Sequence, residues 1–555
     1  MDTADSLQEV PTQAETPDSV QDPPSQQHHG PQEKKNSLTA LAEFVALTFS
    51  RVEKTNHERK LTVNPVVSKV ASWYEKLRNA MEYHEEEVIL RASIERVLKR
   101  RLLLGGNAKT TSEPLVRELI WAGYLKDNEV PESIVEIVER SIDLHLKLRF
   151  AVLQKKGISE SKMNELTYHL MSSDIAQILI PNSERQTMAN FMFQVIRDDV
   201  SIPDDTPETR DAQVYIAIRK AYARDDIAFL RYYLFQQYFG ELKEDSIGEI
   251  AERFSSGYAE ILRQLSYPRR ERIFGYVKKR TAAFLILEDV LREYKGSIEH
   301  LISSEEEFEK VVFAACEKRY KGVAKNVRMA IIRSVIFILA TKVVFAFLVE
   351  GTYERIVYGE ILWNSILLNT GIPPILMIIV SLFIRTPGQD NSKKIFSYIK
   401  TLLFEESPRL GGALTVHTHQ SKKKPFIQSV FTGLWLLAFL TSFGGVVYVL
   451  TLLHFNVVSQ GIFVFFLAIV SFLSYRISLM AQTYEVGRRQ TLVTPFIDFF
   501  FMPVVQVGRR LTQSISQINI LLFIFDFFID TPFKVMFAFF EQWFHFMHSK
   551  RDDLE

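Results

Sequence analysis

The sequence predicts an all-α chain: a large cytoplasmic helical domain, then a four-helix transmembrane sector, then Phe-rich amphipathic helices at the membrane interface. Three observations carry that expectation. From Ser37 to Lys321 the apolar residues recur mostly at spacings of three and four, the period of helices with one buried face. After Ala330 come four long apolar segments, each near the roughly 20 residues a bilayer span needs. Charge is divided unevenly between the two parts: 19 Lys+Arg and 14 Asp+Glu from Ala330 onward, against 47 and 52 before it. The zero net charge and near-zero mean hydropathy of the 555 residues are therefore an average over two different materials.

Residues 1–36 are rich in Pro, Gln, Ser, Thr and acids. Such a composition cannot bury enough apolar surface to offset the entropy of ordering, so a disordered acidic tail is expected. Within 37–321, Val67, Val70, Trp73, Leu77 and Met81 fall on one helical face, and Ile89, Ile94 and Leu98 line the next helix, which should stop at Gly105-Gly106. Pro131-Glu132-Ser133 opens another helix, and Asp211 to Tyr238 and Ile273 to Tyr294 read as two more. Ser303 and Ser304 before three glutamates have the form of a helix cap. From there a helix can run through Gly322 into the first apolar segment, joining the soluble and apolar parts stiffly.

The expected spans are 330–349, 361–384, 426–455 and 458–481, within a sector covering 322–481. Basic residues in short loops set the orientation. The loop 385–425 carries eight Lys/Arg, including Lys422-Lys423-Lys424, and Lys318, Arg319, Lys321, Lys325 and Arg328 precede the first span. The connections 350–360 and Asn456-Val457 carry only Arg355 among cations. The helical domain and the 385–425 loop are thus expected in the cytoplasm, with two short turns outside. No N-terminal secretory signal is visible, because the chain opens on the acidic MDTADSLQEV. Insertion would then rest on the internal segments. In 482–555, Thr494 to Val507 is too short to span, and 516–548 gathers Asn519, Asp526, Asp530, Lys534, Glu541, His545 and His548 on one face, which favours interfacial or re-entrant helices.

Charge inside the first span is the sharpest feature. Lys342 lies near the bilayer middle, where a cation costs about 2.5–3.5 kcal/mol, and Arg333, nearer the cytoplasmic end, is expected to snorkel. Asn369 lies at a matching depth in the second span, and Pro373 and Pro374 cannot donate to the carbonyls of Asn369 and Thr370. A polar cluster of Lys342, Asn369, Thr370 and Pro373 follows, with Gly444-Gly445 allowing a close approach of the third span. The plainer reading, a lysine paired for structural reasons alone, is preferred. Val486-Gly487-Arg488-Arg489 recurs as Val507-Gly508-Arg509-Arg510, so Arg488, Arg489, Arg509 and Arg510 are candidate lipid head-group contacts, or simply obey the positive-inside rule.

Other chemistry is poorly supported. One cysteine, Cys316, excludes disulfide frameworks and multi-cysteine metal centres. His417-Thr418-His419 lacks a further ligand nearby. Gly105 to Thr111 fails as a phosphate loop, since Ala108 stands where a glycine is needed and no strand precedes it. The basic run from Arg269 to Arg280 is offset by acids and reads as a solvated face. From Ser37 to Arg328 basic and acidic residues balance at 45 each, which argues against nucleic acid. No cofactor, metal site or catalytic set is found.

Tyr74 to Leu102 (YEKLRNAMEYHEEEVILRASIERVLKRRL) and Ala340 to Val357 (ATKVVFAFLVEGTYERIV) resemble uncharacterised multi-pass membrane proteins of bacteria. That resemblance implies a bacterial inner membrane and carries no function. The partners expected are the lipid bilayer, a protein docking on the cytoplasmic domain, and a second copy of the chain. The leading expectation is a membrane-anchored scaffold. Its alternatives are an oligomeric transporter or channel built on Lys342, and membrane remodelling by the C-terminal helices. A transporter should bring more buried polar groups to the Lys342 cluster than the fourth span offers, and that scarcity decides the order.

Overall fold

The computed structural model describes residues 38–50, 58–81, 86–155, 157–357, 359, 363–417, 425–487 and 493–516, with isolated positions between 536 and 547. The expected tail 1–36, Lys422 to Lys424, His419, Arg488, Arg489 and most of 516–548 lie outside them. The rest is all-α. Helices α1 (Ala40–Ser50), α2 (Pro65–Met81), α3 (Glu86–Leu103), α4 (Ala108–Trp121), α5 (Ser133–Gln154), α6 (Glu160–Leu179) and α7 (Ser183–Ile196) lead to strand β1 (Val200–Ser201). They are followed by α8 (Pro207–Ile218), α9 (Ile227–Phe239), α10 (Ile247–Leu265), α11 (Arg270–Lys278), α12 (Thr281–Glu293) and α13 (Ile298–Ile302). The second part holds α14 (Glu305–Phe345), a wide π-type turn (Ala346–Gly351), α15 (Thr352–Val357), α16 (Trp363–Ser381), α17 (Gln389–Phe404), β2 (Leu414–Thr415), α18 (Pro425–Leu452), α19 (Val457–Ala481) and α20 (Val493–Ser516).

Local sequence explains most boundaries. Gly105, at φ +86°, ends α3 as expected, and Asn107 then caps α4. Its Oδ1 accepts the Thr110 N–H at 2.9 Å while Thr110 Oγ1 accepts the Asn107 N–H at 3.0 Å. The segment set aside as a phosphate loop is this cap. Ser304 caps α14 through the Glu307 N–H. Two expected helices are each broken. Asp211 to Tyr238 divides because Arg224 is left-handed and Asp226 caps a new helix through Ala228 and Phe229. Ile273 to Tyr294 divides between α11 and α12. The expected face of α2 is turned: Val67 and Ala71 are buried, whereas Val70 and Trp73 are exposed.

Three apolar cores hold the soluble part. One joins α2 to α6, and a second joins α5, α6, α9 and α10. The third gathers α1, α7, α8, α11, α12 and the first turns of α14. It also takes in Ile395, Ile399, Leu402 and Leu403 of α17, together with Val416, Tyr484 and Val486. Part of the loop expected at 385–425, Gln389–Phe404, is therefore a helix packed into the soluble core. Arg280, read as part of a solvated face, is buried. It stacks on Tyr276 and donates to the Gly412 carbonyl at 3.2 Å, tying this returning chain down. The described residues from Leu38 onward form one compact unit.

Among the described residues three helices, not four, are long and apolar enough to cross a membrane: Glu305–Val357, Ser429–Leu452 and Val457–Ala481. The segment expected at 361–384 yields α16, whose apolar stretch is Ile366–Ser381. At 1.5 Å per residue that stretch rises about 24 Å, short of a hydrocarbon core of about 30 Å. The first of the three is a single rod from the soluble core outward, as the uninterrupted pattern through Gly322 implied. It does not end at Val349, because the π turn and α15 extend it to Val357. At the other end, α20 lies against α18 and α19. Ser442 Oγ donates to the Phe500 carbonyl at 2.8 Å, near the middle of α18. A Cβ on Gly508 would fall 1.9 Å from the Ala468 carbonyl, near the middle of α19. This helix, expected at the interface, thus packs at mid-height of two apolar helices.

A buried polar network in the apolar helices

Lys342, on the apolar stretch of α14, is fully buried. Its Nζ donates to Glu350 Oε1 at 2.7 Å and lies 5.1 Å from the centre of the Phe466 ring on α19. Glu350 is equally buried. In an ideal α-helix residues eight apart are offset by about 80°. The π turn takes up one extra residue and brings Glu350 back towards the Lys342 face.

The network continues across two more helices. Asn369 of α16, also fully buried, donates from Nδ2 to Glu350 Oε1 at 2.8 Å and to the Ser459 carbonyl at 3.3 Å. Asn456 caps α19 by accepting the Ser459 N–H at 2.7 Å, and its Nδ2 donates to Glu354 Oε1 at 3.2 Å. Glu354 has no exposed surface. The positive end of the α19 dipole thus faces the acidic side of the network. Among the described residues, three oxygen atoms of its members have no hydrogen-bond partner, Glu350 Oε2, Asn369 Oδ1 and Ser459 Oγ, and Thr370 Oγ1, next to Asn369 on α16, is a fourth.

Of the residues expected to cluster, Lys342 and Asn369 come together through Glu350, while Thr370 follows Asn369 on α16 with its hydroxyl unpartnered among the described residues. Pro373 and Pro374 are buried, but α16 runs through both and is not a broken helix. Among the described residues, none closely approaches Gly444 or Gly445. A Cβ on either would meet nothing within 4 Å, and α19, through Asn456 and Ser459, supplies the third wall instead. Glu350 and Glu354 belong to the connection 350–360 expected as a short turn outside, but the π turn and α15 carry the helix through both and both are buried. Their own spacing of four was the overlooked helical signal. Arg509 and Arg510 are exposed, while the repeat's Gly508 is a packing residue. Arg333 is exposed on the part of α14 nearer the soluble core. His417 meets Asp204 at 3.4 Å, and the described residues hold no group of three or more His, Cys, Asp or Glu placed to bind a metal ion.

The soluble body has a second concave feature, a cleft of about 960 Å³ between α3, α6, α7, α8 and α9. Arg219 forms its floor. The guanidinium donates to Asp225 at 2.5 Å and to Gln186 at 2.8 Å, and it stacks 3.9 Å above the Tyr233 ring. Burial opposes its charge, yet Asp225 and the neighbouring tyrosines raise its pKa, so it stays a cation. Phe193, Tyr215 and Phe229 add an aromatic wall. A π-type turn, Arg219–Ala223, carries this arginine too.

The fold and these two sites define a class: an all-α chain with a soluble cleft and a charged network buried among long apolar helices. No family model, no curated protein and no solved structure matches the chain.

Proposed function

We propose that the chain is a multi-pass membrane protein that holds a helical docking body at the cytoplasmic surface, as a membrane-anchored scaffold. What supports the membrane setting is the apolar exterior of the long helices. Ile336, Phe337, Phe347, Leu348, Phe431, Leu436 and Leu440 all face outward, an apolar surface far larger than water tolerates. Connectivity adds α16 as a fourth pass, since it joins the far end of α15 to α17 in the soluble core. The basic residues before Ala330 and in 385–425 orient the body to the cytoplasm.

One observation carries the docking role: the aromatic, arginine-floored cleft lies on a body whose core includes chain returning from the membrane helices. A partner seated there would be held at a fixed height and angle. The test is crosslinking and affinity capture with the full-length protein, native against Asn190→Arg/Gln237→Arg, which fills the cleft from two exposed positions. Loss of a specific partner by at least about tenfold is expected. Capture unchanged by the double substitution would overturn the reading.

A second reading, an oligomeric transporter or channel, is favoured by the network itself. Glu350, Glu354 and Ser459, with half-buried Asn456, supply the polar groups whose apparent scarcity had placed that reading second. Solute and ion flux in liposomes tests it, with Glu350→Gln expected to abolish the flux.

A further inference from the structure

We propose that Glu350 is an exchange site at which a small monovalent cation of the sodium class displaces the Lys342 ammonium. The proposal rests on the transport reading for its purpose, though not for its chemistry. The four unpartnered oxygens are a carboxylate oxygen, an amide oxygen and two hydroxyls, a hard, all-oxygen set. Three belong to residues at least nine-tenths buried: Glu350 and Asn369 at 0% exposure and Ser459 at 1%. They belong to one cluster, because Asn369 bonds both Glu350 and the Ser459 backbone through Nδ2 and so leaves its own Oδ1 without a donor. A half-satisfied polar network costs more in a low-dielectric interior than in water, and a cation satisfies acceptors that no protein donor reaches.

Charge selects the ion and the manner of its entry. The Lys342–Glu350 pair is already neutral, so a cation added to it would be uncompensated in a low-dielectric setting. Exchange avoids this. An N–H bond of the ammonium breaks, its electron pair stays on Nζ, the proton leaves to bulk water, and the cation takes its place against the carboxylate. One positive charge enters as one leaves. A divalent ion would leave a net charge on Glu350, which supplies the one carboxylate oxygen among the four; Glu354 is already engaged by Asn456. The titratable groups in the network are Lys342 from α14, Glu350 from the π turn and Glu354 from α15. To it α16 contributes Asn369 and Thr370, and α19 contributes Asn456, Ser459 and the Phe466 ring.

Full-length protein in detergent is titrated with NaCl, LiCl, KCl or choline chloride in weak buffer, reading the melting midpoint and proton release together. Sodium or lithium, not choline, is expected to raise the midpoint and release protons. Lys342→Met should keep the cation-dependent shift and move the pH range of the proton release, which then comes from the stranded Glu350 carboxyl. Ser459→Ala and Thr370→Val should each weaken the apparent affinity by up to about tenfold, and they keep the test open if Glu350→Gln fails to fold. Equal response to sodium and choline, or a sodium response unchanged in Ser459→Ala, Thr370→Val and Glu350→Gln, would mean the four oxygens hold only water and would overturn the proposal. Cation-linked proton release without flux in liposomes upholds the exchange and removes the transport reading. Flux without it removes the exchange alone.

Discussion

Lys342 and Glu350 neutralise each other where neither has water, so removing either one strands the other. Lys342→Leu or Glu350→Gln alone is expected to cost about 3–5 kcal/mol in sodium-free buffer, whereas Lys342→Leu/Glu350→Gln together should recover most of it. A double-mutant cycle on melting midpoints measures this, and additive losses would contradict the pairing. Half of this pair was legible in the sequence. A lysine amid an apolar run demands a partner, but the partner lay beyond the apparent end of the span, and only the π turn brings it round. Two soluble residues offer independent checks. Cys316 is fully buried, and burial pushes its thiol up to about 11. A maleimide at neutral pH should label it only when the domain opens, and fast labelling of the native protein would contradict its packing. His169 is held below its ordinary value of 6.5, chiefly by burial. The unfolded chain therefore takes up a proton that the folded chain resists. The stability concerned is complete above 6.5 and is lost as pH falls from there towards the lowered folded value. His169→Gln should flatten the fall in melting midpoint between about pH 7.5 and 5.5, and an unchanged slope would contradict this.

Helices were easier to read than their neighbours. The caps at Asn107 and Ser304 and the stop at Gly105 are local chemistry, and local chemistry shows in sequence. Which face a helix buries is not local: α2 turns Val67 and Ala71 inward and leaves Trp73 outside because of what packs on it. For the same reason the two glycine features exchanged roles. Gly444-Gly445 suggested a close crossing and has open space around it, whereas Gly508, half of a repeat read for its arginines, sits against the Ala468 backbone. Gly508→Leu is expected to cost about 1–3 kcal/mol by overpacking, and Gly444→Ala to change stability by less than about 0.5 kcal/mol. Comparable losses at both sites would contradict the packing of α19 against α20. Likewise α17 occupies what composition marked as a basic loop. Ile399 is fully buried there, so Ile399→Ala should cost about 2–5 kcal/mol and expose the 389–404 segment to protease.

On the scale of the whole molecule, the rod from Glu305 to Val357 and the return of α17 and Val486 to the soluble core make one body of parts with opposite surfaces. Sequence revealed the two materials through their charge and hydropathy. It did not reveal how firmly they are joined, because that depends on contacts such as Asn391 with Tyr320 and the Tyr484 carbonyl, across 71 and 93 residues. This body can serve as a fixed docking platform only if the apolar helices cross a bilayer and both ends of the α17 segment stay on the side of the soluble core. Accessibility labelling tests that directly. In a Cys316→Ala background, Glu406→Cys lies beside the soluble core and Val457→Cys lies at the far end of the apolar helices, both exposed. An impermeant maleimide applied to intact cells should label Val457→Cys at once and Glu406→Cys only after lysis. Equal labelling of the two before lysis would contradict the account.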